Sequence, residues 1–284
     1  MPLTTTMPVV APGGATMSDE SLSYETIELS STDQGVTTIL LDRPDERNAM
    51  NVAMGREIQQ AVESINADPH CRVVIIRGSG RAFSAGGDLK SLAHEAGLAG
   101  DGSGLGGGSS FYRLFLSITA LRVPSIAAIN GHAIGAGLCF ALGADLRVIH
   151  EKAKVGMTFV KLGIHPGMAA TWTLPRLVGP AVAAELLYTG RLVTADEALA
   201  MGLVNRTAGE DFDEVVASLA AGVAGSGPVA VRAVKETLAG TWERSIDEAM
   251  ELESTTQAMT FNTDDAREGM KAIMEKRPPR FEGH

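Results

Sequence analysis

The sequence predicts an α/β fold, a domain in which short buried strands alternate with helices along the chain. Between the strands, apolar residues recur at helical spacing after Asn51, and 138–144 is an apolar helix candidate. Because strands and helices alternate, much of the sheet is predicted to lie buried beneath helices. Four short apolar runs have the length and composition of buried strands: 36–41, 73–77, 125–129 and 146–150.

The composition is that of a globular protein with a large core. The chain has 284 residues, of which 45% are hydrophobic and 20% charged. The net charge of −10 disfavours nucleic acid and anionic membranes as partners, since both require a basic surface. Cys71 and Cys139 both lie in apolar segments and do not form a disulfide framework, so a reducing cytoplasm is expected.

The first residues differ in composition from the rest of the chain. Residues 1–20 are rich in Thr, Pro, Gly and Ala, and they lack the basic and apolar regions of a signal peptide. We predict a disordered extension over 1–20, a core over 21–205 and a helical region over 206–284. Met17 is an alternative start, because regular patterning begins only after it.

The first predicted elements lead to a glycine-rich turn. Strands are expected at 25–29 and 36–41. A helix that Asn51 caps should follow, because apolar residues recur in it at helical spacing: Val52, Ile58, Ala61, Val62 and Ile65. After strand 73–77, the segment RAFSAGGDLK at 81–90 contains Gly86 and Gly87, and Asp88 can cap another helix.

A second turn of the same kind lies in the stretch 124–147. Strand 125–129 ends at Asn130-Gly131, and Gly135-Ala136-Gly137 then precedes the apolar helix. The first N–H groups of a helix have no partner within the helix, and they carry the positive end of its dipole. Two such turns can direct two donors at one oxygen atom that gains negative charge, which is the arrangement of an oxyanion hole.

The remaining segments are a Gly- and Ser-rich stretch and a helical last third. Residues 97–110 are either a lid over a substrate or a tolerated insertion, and a helix is expected at 111–120. The Gly-x-Gly-x-x-Gly match in this stretch follows no strand, so it is not a dinucleotide site. Two capping boxes predict later helix starts, one at Thr194 with Glu197 and one at Ser245 with Glu248. Pro228 suits the first turn of another helix, and Asp264 can begin a last helix that ends near Lys276.

Four motifs follow one another along the chain: RPDERNAM at 43–50, FSAGGDLK at 83–90, NGHAIGAG at 130–137 and EKRPPRF at 275–281. In this order they resemble the enoyl-CoA hydratase/isomerase (crotonase) family. Several motifs in the correct order are more specific than any one alone. The resemblance implies a spiral of repeated strand-strand-helix units, a C-terminal helical region, and a homotrimer or a hexamer built from two trimers.

The resemblance also implies site residues. The backbone N–H groups of Gly87 and Ala136 match the oxyanion donors of the family. Arg47, Asn48 and Ala49 match the loop that lies along the nucleotide part of coenzyme A. Ala85, Asp88 and Leu89 match further substrate-binding residues of the family. Lys90 and Lys276 match basic positions near the phosphates of coenzyme A.

The sequence departs from the family where the reaction needs carboxylates. Cys139 and Phe159 stand where a hydratase has two glutamates, and Gly167 stands where isomerase variants have an acid. Because a positioned acid or base usually contributes about a hundredfold to ten-thousandfold, standard hydration is not expected. His165 is a candidate proton-transfer residue, with a hydrogen-bonded turn histidine as the alternative. Four apolar residues either line an acyl pocket or belong to the core: Met157, Phe159, Met168 and Trp172.

These observations leave two functions open. One is an enzyme that stabilises a thioester enolate of an acyl-CoA, and the other is a non-catalytic acyl-CoA-binding protein of the same family. A nucleotide-binding oxidoreductase is disfavoured, because Phe140 stands where the dinucleotide pattern needs Gly or Ala. No metal is expected, because no ligand cluster has the usual spacing, and no cofactor is expected, since coenzyme A is part of the substrate.

Overall fold

The computed structural model describes residues 23–88 and 108–284, which form one α/β unit with two sheets. Among the described residues, the larger sheet has six strands in the order β1-β2-β3-β5-β7-β10, and the smaller has four in the order β4-β6-β8-β9. The predicted extension over 1–20, the helix expected after Asp88 and most of the Gly- and Ser-rich stretch lie outside the described residues. The strands are β1 Ile27–Ser31, β2 Val36–Leu41, β3 Val73–Gly78, β4 Ala82–Ser84, β5 Ser125–Ile129, β6 His132–Ile134, β7 Leu146–His150, β8 Lys154–Gly156, β9 Val193–Thr194 and β10 Arg206–Ala208.

Both sheets are mostly parallel. Of the strand pairs that the structure describes, only β1–β2 in the larger sheet and β8–β9 in the smaller sheet are antiparallel. Parallel strands require crossover connections, which the helices supply. In the described residues the helices are α1 Val52–Ala67, α2 Gly108–Leu116, α3 Ala136–Leu142, α4 Ala170–Thr189, α5 Ala195–Ala200, α6 Phe212–Ala224, α7 Pro228–Ala239, α8 Ile246–Phe261 and α9 Asp264–Glu275.

Helices cover the larger sheet on both faces, which confirms the predicted α/β class. Side chains alternate along β3, so that Val74 and Ile76 join the core cluster containing α1, while Val73 joins the cluster beneath α6. From α6, Phe212 and Val216 pack against this second face. The predicted boundary between residues 205 and 206 stays a prediction, although β10 and α6 belong to these same layers.

Most predicted elements are present, with shifted ends. Strands 36–41, 125–129 and 146–150 have the predicted bounds, and both capping boxes form. The first strand begins at Ile27 rather than residue 25, and α3 spans Ala136–Leu142 rather than 138–144. The helix expected at 111–120 begins at Gly108 and becomes a 3₁₀ turn at Ser117–Ala120. Val52 shares the helical spacing of the buried residues of α1 but is exposed, because it is the first residue of that helix.

Helices α7 to α9 expose large apolar side chains. Ile246, Phe261 and Ile273 on α8 and α9 are each more than half exposed, as is Trp242 in the 3₁₀ turn between α7 and α8. Within the described part of the chain, no single helix is long and apolar enough to cross a membrane; α6 and α7 meet that test only as a pair, bent by 102°.

Candidate active site

The two glycine-rich turns of the sequence lie side by side at the ends of two parallel strands. Strands β4 and β6 pair in parallel, with Ser84 opposite Ala133. The turn containing Gly86 therefore leaves the sheet beside the turn that contains Gly135. Gly86 has a φ of +98°, and a Cβ atom there would lie 2.6 Å from the Ile134 carbonyl oxygen and 3.6 Å from the Ala136 nitrogen. Only glycine permits this backbone shape and this close approach.

Each turn presents an N–H group without an acceptor among the described residues. The Met50 carbonyl oxygen accepts from the Asp88 N–H at 2.9 Å, and the Met50 N–H donates to the Gly86 carbonyl oxygen at 2.8 Å. Gly87 lies between these two bonded residues in a parallel bridge, so its own N–H points away from Met50. Ala136 is the first residue of α3, where a helix has no acceptor for its N–H. Two bare donors on adjoining turns are what an oxyanion hole requires.

A buried polar network supports the first turn. The Ser84 hydroxyl donates to the Asn48 carbonyl oxygen at 2.8 Å and accepts from the Gly86 N–H at 3.2 Å. The Asn48 side chain is fully buried, and its amide donates to the carbonyl oxygens of Ser79 and Ala82 while its oxygen accepts from the Arg43 N–H. Sequence reasoning missed Ser84, because a buried serine in a strand has no distinctive spacing.

The second turn is packed directly on the first. A Cβ atom at Gly137 would lie 2.6 Å from the Ser84 carbonyl oxygen and 2.7 Å from the Ser84 Cβ. Residue 137 must therefore be glycine, whereas residue 136 carries a methyl group that is almost fully buried. The methyl group leaves the Ala136 N–H in place.

The two positions that the sequence resemblance matched to the hydratase glutamates hold a neutral thiol and a phenyl ring. Cys139 is buried on the first turns of α3, with its sulfur 3.6 Å from the Met157 sulfur and 3.7 Å from the Gly167 carbonyl oxygen. Burial raises the pKa of the Cys139 thiol to about 12, so the group is uncharged at neutral pH. Phe159 is half-buried, and its ring lies 3.9 Å from a Cβ position on Gly135.

The other predicted acyl-pocket residues divide between core and surface. Met157 and Met168 are fully buried and belong to the main core. Trp172 is 54% exposed, with the Arg176 guanidinium 3.9 Å from its ring centroid, so the core alternative is wrong for this residue. The His165 side chain is exposed, and its Nδ1 atom lies 2.7 Å from the Pro166 carbonyl oxygen. This contact favours the turn alternative for His165, and its catalytic role stays a prediction.

The predicted coenzyme A residues lie around the entrance to the same turns. Arg47 is exposed, and both Arg47 and Asn48 have left-handed backbones, with φ values of 55° and 54°. The Arg47 carbonyl oxygen accepts from the Ala85 N–H at 2.9 Å, which ties the two loops together. The Arg43 guanidinium donates a hydrogen bond to the Ala49 carbonyl oxygen and forms an ion pair with the Asp88 carboxylate at 3.5 Å.

The roles of all the predicted substrate-binding residues stay predictions, including those of the three that lie far along the chain or outside the described residues. Lys276 is exposed at the left-handed C-terminal cap of α9. Leu89 and Lys90 lie outside the described residues. Within 23–88 and 108–284, no cluster of three or more His, Cys, Asp or Glu side chains could hold a metal ion.

Comparison with known proteins identifies the family. A family model described as enoyl-CoA hydratase/isomerase matches residues 31–284, nearly the whole described chain. The chain belongs to the enoyl-CoA hydratase/isomerase family. Crotonyl-CoA hydratase of Syntrophomonas wolfei is 37% identical over 262 residues, which cover 92% of this chain and 99% of that relative.

Solved structures of family members agree with the fold. Enoyl-CoA hydratase from Bacillus anthracis is similar with a TM-score of 0.85 at 33% identity, over 92% of this chain and 100% of that one. Enoyl-CoA hydratase from Mycobacterium tuberculosis has a TM-score of 0.80 at 31% identity, over 91% of this chain and 99% of that one. The predicted crotonase-type architecture is therefore confirmed, as is the prediction of the enoyl-CoA hydratase/isomerase family.

Proposed function

We propose that this family member binds an acyl-CoA thioester and stabilises its enolate through the N–H groups of Gly87 and Ala136. The observation that carries the proposal is the pair of bare amide donors on two turns in contact with each other. When a proton leaves the α-carbon of a thioester, or a nucleophile adds to the β-carbon of an α,β-unsaturated thioester and opens its double bond, negative charge collects on the thioester oxygen. Two preorganised donors lower the free energy of that state more than that of the ground state.

The coenzyme A moiety needs its own binding surface, and the loop at 47–49 supports one. The left-handed backbone of Arg47 and Asn48 turns this loop toward Ala85, next to the proposed oxyanion donors. The exposed Arg47 and Lys276 supply positive charge in a chain whose net charge is −10. Lysine suits a phosphate group because its ammonium is a mobile point charge.

The reaction differs from standard enoyl-CoA hydration in this proposal. A hydratase positions water and moves its proton with two carboxylates, and a neutral Cys139 thiol and the Phe159 ring do neither. Catalysis therefore uses another acid or base, for which His165 is the candidate from the sequence. The same absence of carboxylates favours a second candidate function, an acyl-CoA-binding protein without turnover.

A panel of thioesters separates these functions. The wild-type protein is incubated with crotonyl-CoA, a dienoyl-CoA and 3-hydroxybutyryl-CoA, products are followed by mass spectrometry, and binding is measured by calorimetry. Binding with turnover of one thioester supports the enzyme, and binding of all without turnover supports the binding protein. Hydration of crotonyl-CoA at ordinary enzyme rates would contradict our interpretation of Cys139 and Phe159. An unchanged rate in His165→Ala would remove His165 from the mechanism.

We also propose that the protein assembles as a homotrimer or as a hexamer of two trimers. The support is the exposed apolar surface of α7 to α9, because large exposed apolar patches mark protein contacts. Light scattering coupled to size exclusion measures the mass directly, and a 29.7 kDa particle would contradict the proposal. The free, buried thiols of Cys71 and Cys139 fit a cytoplasmic location.

A further inference from the structure

A tyrosine hydroxyl occupies the space into which a side chain at residue 167 would extend. Tyr112 lies on α2, and the Cζ atom of its ring is 2.6 Å from the position of a Cβ atom on Gly167, with its hydroxyl closer still. An ordinary side chain at residue 167 and the observed Tyr112 side chain therefore exclude each other. Where isomerase variants of the family have an acidic side chain at this position, the Tyr112 hydroxyl from α2 therefore occupies the space instead.

The Tyr112 hydroxyl has no hydrogen-bond partner among the described residues. Its ring is half-buried and packs against the main core, in an edge-on arrangement with Phe111 at 6.3 Å between ring centroids. A hydroxyl that a bound ligand shields from water costs about 1 to 3 kcal/mol when it gains no hydrogen-bond partner in exchange. A ligand that brings an acceptor to this hydroxyl avoids that cost, and a purely apolar ligand incurs it.

Short contacts connect Tyr112 to the proposed reacting end of the site. Gly167, which the Tyr112 hydroxyl faces, has its carbonyl oxygen 3.7 Å from the Cys139 sulfur. Cys139 follows Ala136 by one turn of α3, so the two residues lie on the same side of that helix. The Cys139 sulfur also contacts the Met157 sulfur at 3.6 Å, and Thr158 and Phe159 lie within 4 Å of a Cβ position on Gly135. Tyr112 therefore brings a hydroxyl group to this end of the site, in addition to the Thr158 hydroxyl beside Gly135.

We infer that Tyr112 determines acyl specificity by donating a hydrogen bond to an oxygen on C3 of the acyl group. The inference rests on the proposed acyl-CoA function. With C1 held at the oxyanion donors and C2 carrying the enolate, C3 is the first carbon whose substituent can vary. A site built to hydrogen-bond a substrate oxygen discriminates against the analogue that lacks it. The protein therefore favours acyl groups with a hydroxyl or carbonyl at C3 over unsubstituted ones.

Two thioesters and two tyrosine variants test this role. Dissociation constants for butyryl-CoA and for each enantiomer of 3-hydroxybutyryl-CoA are measured by calorimetry. Wild type should bind one hydroxylated enantiomer about tenfold more tightly than butyryl-CoA, the effect of one hydrogen bond. Tyr112→Phe removes only the hydroxyl, so this ratio should fall to near one while butyryl-CoA binds at least as tightly. Tyr188→Phe, at an 81% exposed position on α4, is the matched control and should keep the wild-type ratio.

The outcomes distinguish failure of the Tyr112 role from failure of the proposed acyl-CoA function. Equal affinities in wild type, or a ratio that persists in Tyr112→Phe, would overturn the role of Tyr112 and leave acyl-CoA binding intact. If neither thioester binds wild type, the proposed function fails and the inference fails with it. Gly167→Ala provides a second variant, since its methyl group displaces the Tyr112 ring without altering the hydroxyl. It should also lose the preference, and retention of the full ratio would contradict the geometry.

Discussion

Replacing Asn48 by alanine should destabilise the fold more than any exposed asparagine replacement. The Asn48 side chain makes three hydrogen bonds, at 2.9, 3.0 and 2.9 Å, to backbone groups of Arg43, Ser79 and Ala82. Three such bonds contribute about 1 kcal/mol each to the free energy of unfolding. Alanine also tolerates the left-handed φ of 54° less well than asparagine, by roughly 1 kcal/mol. We therefore expect a loss of about 3 to 4 kcal/mol.

Urea unfolding followed by circular dichroism measures this loss. Asn262→Ala is the matched control, because Asn262 is exposed and its side chain makes a single hydrogen bond, to Ala258. The control should change the free energy of unfolding by less than about 1 kcal/mol. A loss below about 1 kcal/mol for Asn48→Ala would refute the reasoning, because the network that supports the Gly86 turn would then contribute little.

Two further perturbations address the site itself. Ala136→Pro removes one proposed oxyanion donor at the first position of α3, where helices accept proline, so butyryl-CoA affinity should fall about tenfold while Ala136→Gly retains it. Equal calorimetric affinities for the two variants would exclude this amide from binding. The Cys139 pKa of about 12 in the fold exceeds its ordinary 9, so the unfolded chain releases this proton first and stability falls as pH rises from 9 to 12. Between pH 8 and 10 the wild type should lose about 1 kcal/mol more than Cys139→Ala in urea unfolding, and parallel pH profiles would contradict the burial of the thiol.

Local signals in the sequence were sufficient for much of the fold. The Thr194 and Ser245 capping boxes form as predicted, because each depends only on residues within one helical turn. Strand 125–129 has its predicted bounds because Pro124 and Asn130-Gly131 limit it at both ends. The family motifs likewise pointed to the two turns that the structure brings into contact.

Contacts between distant segments could not be predicted in this way. The approach of Tyr112 to Gly167 depends on how α2 crosses the site, and no spacing in the sequence encodes it. Trp172 is a large apolar residue of the kind usually found in cores, but it faces solvent with the Arg176 guanidinium over its ring. Tertiary packing, which the local sequence does not specify, decides which face of α4 is covered. The Ser84–Asn48 network joins a strand to a loop in the same long-range manner.

The central claim is that two backbone amides hold one thioester oxygen, and a crystal structure with butyryl-CoA tests it most directly. Butyryl-CoA has no double bond to hydrate, so it remains intact in the crystal. We predict that its thioester oxygen lies about 3 Å from both the Gly87 and the Ala136 nitrogen atoms. An oxygen that contacts only one of them, or that is bound by a side chain elsewhere, would contradict the account.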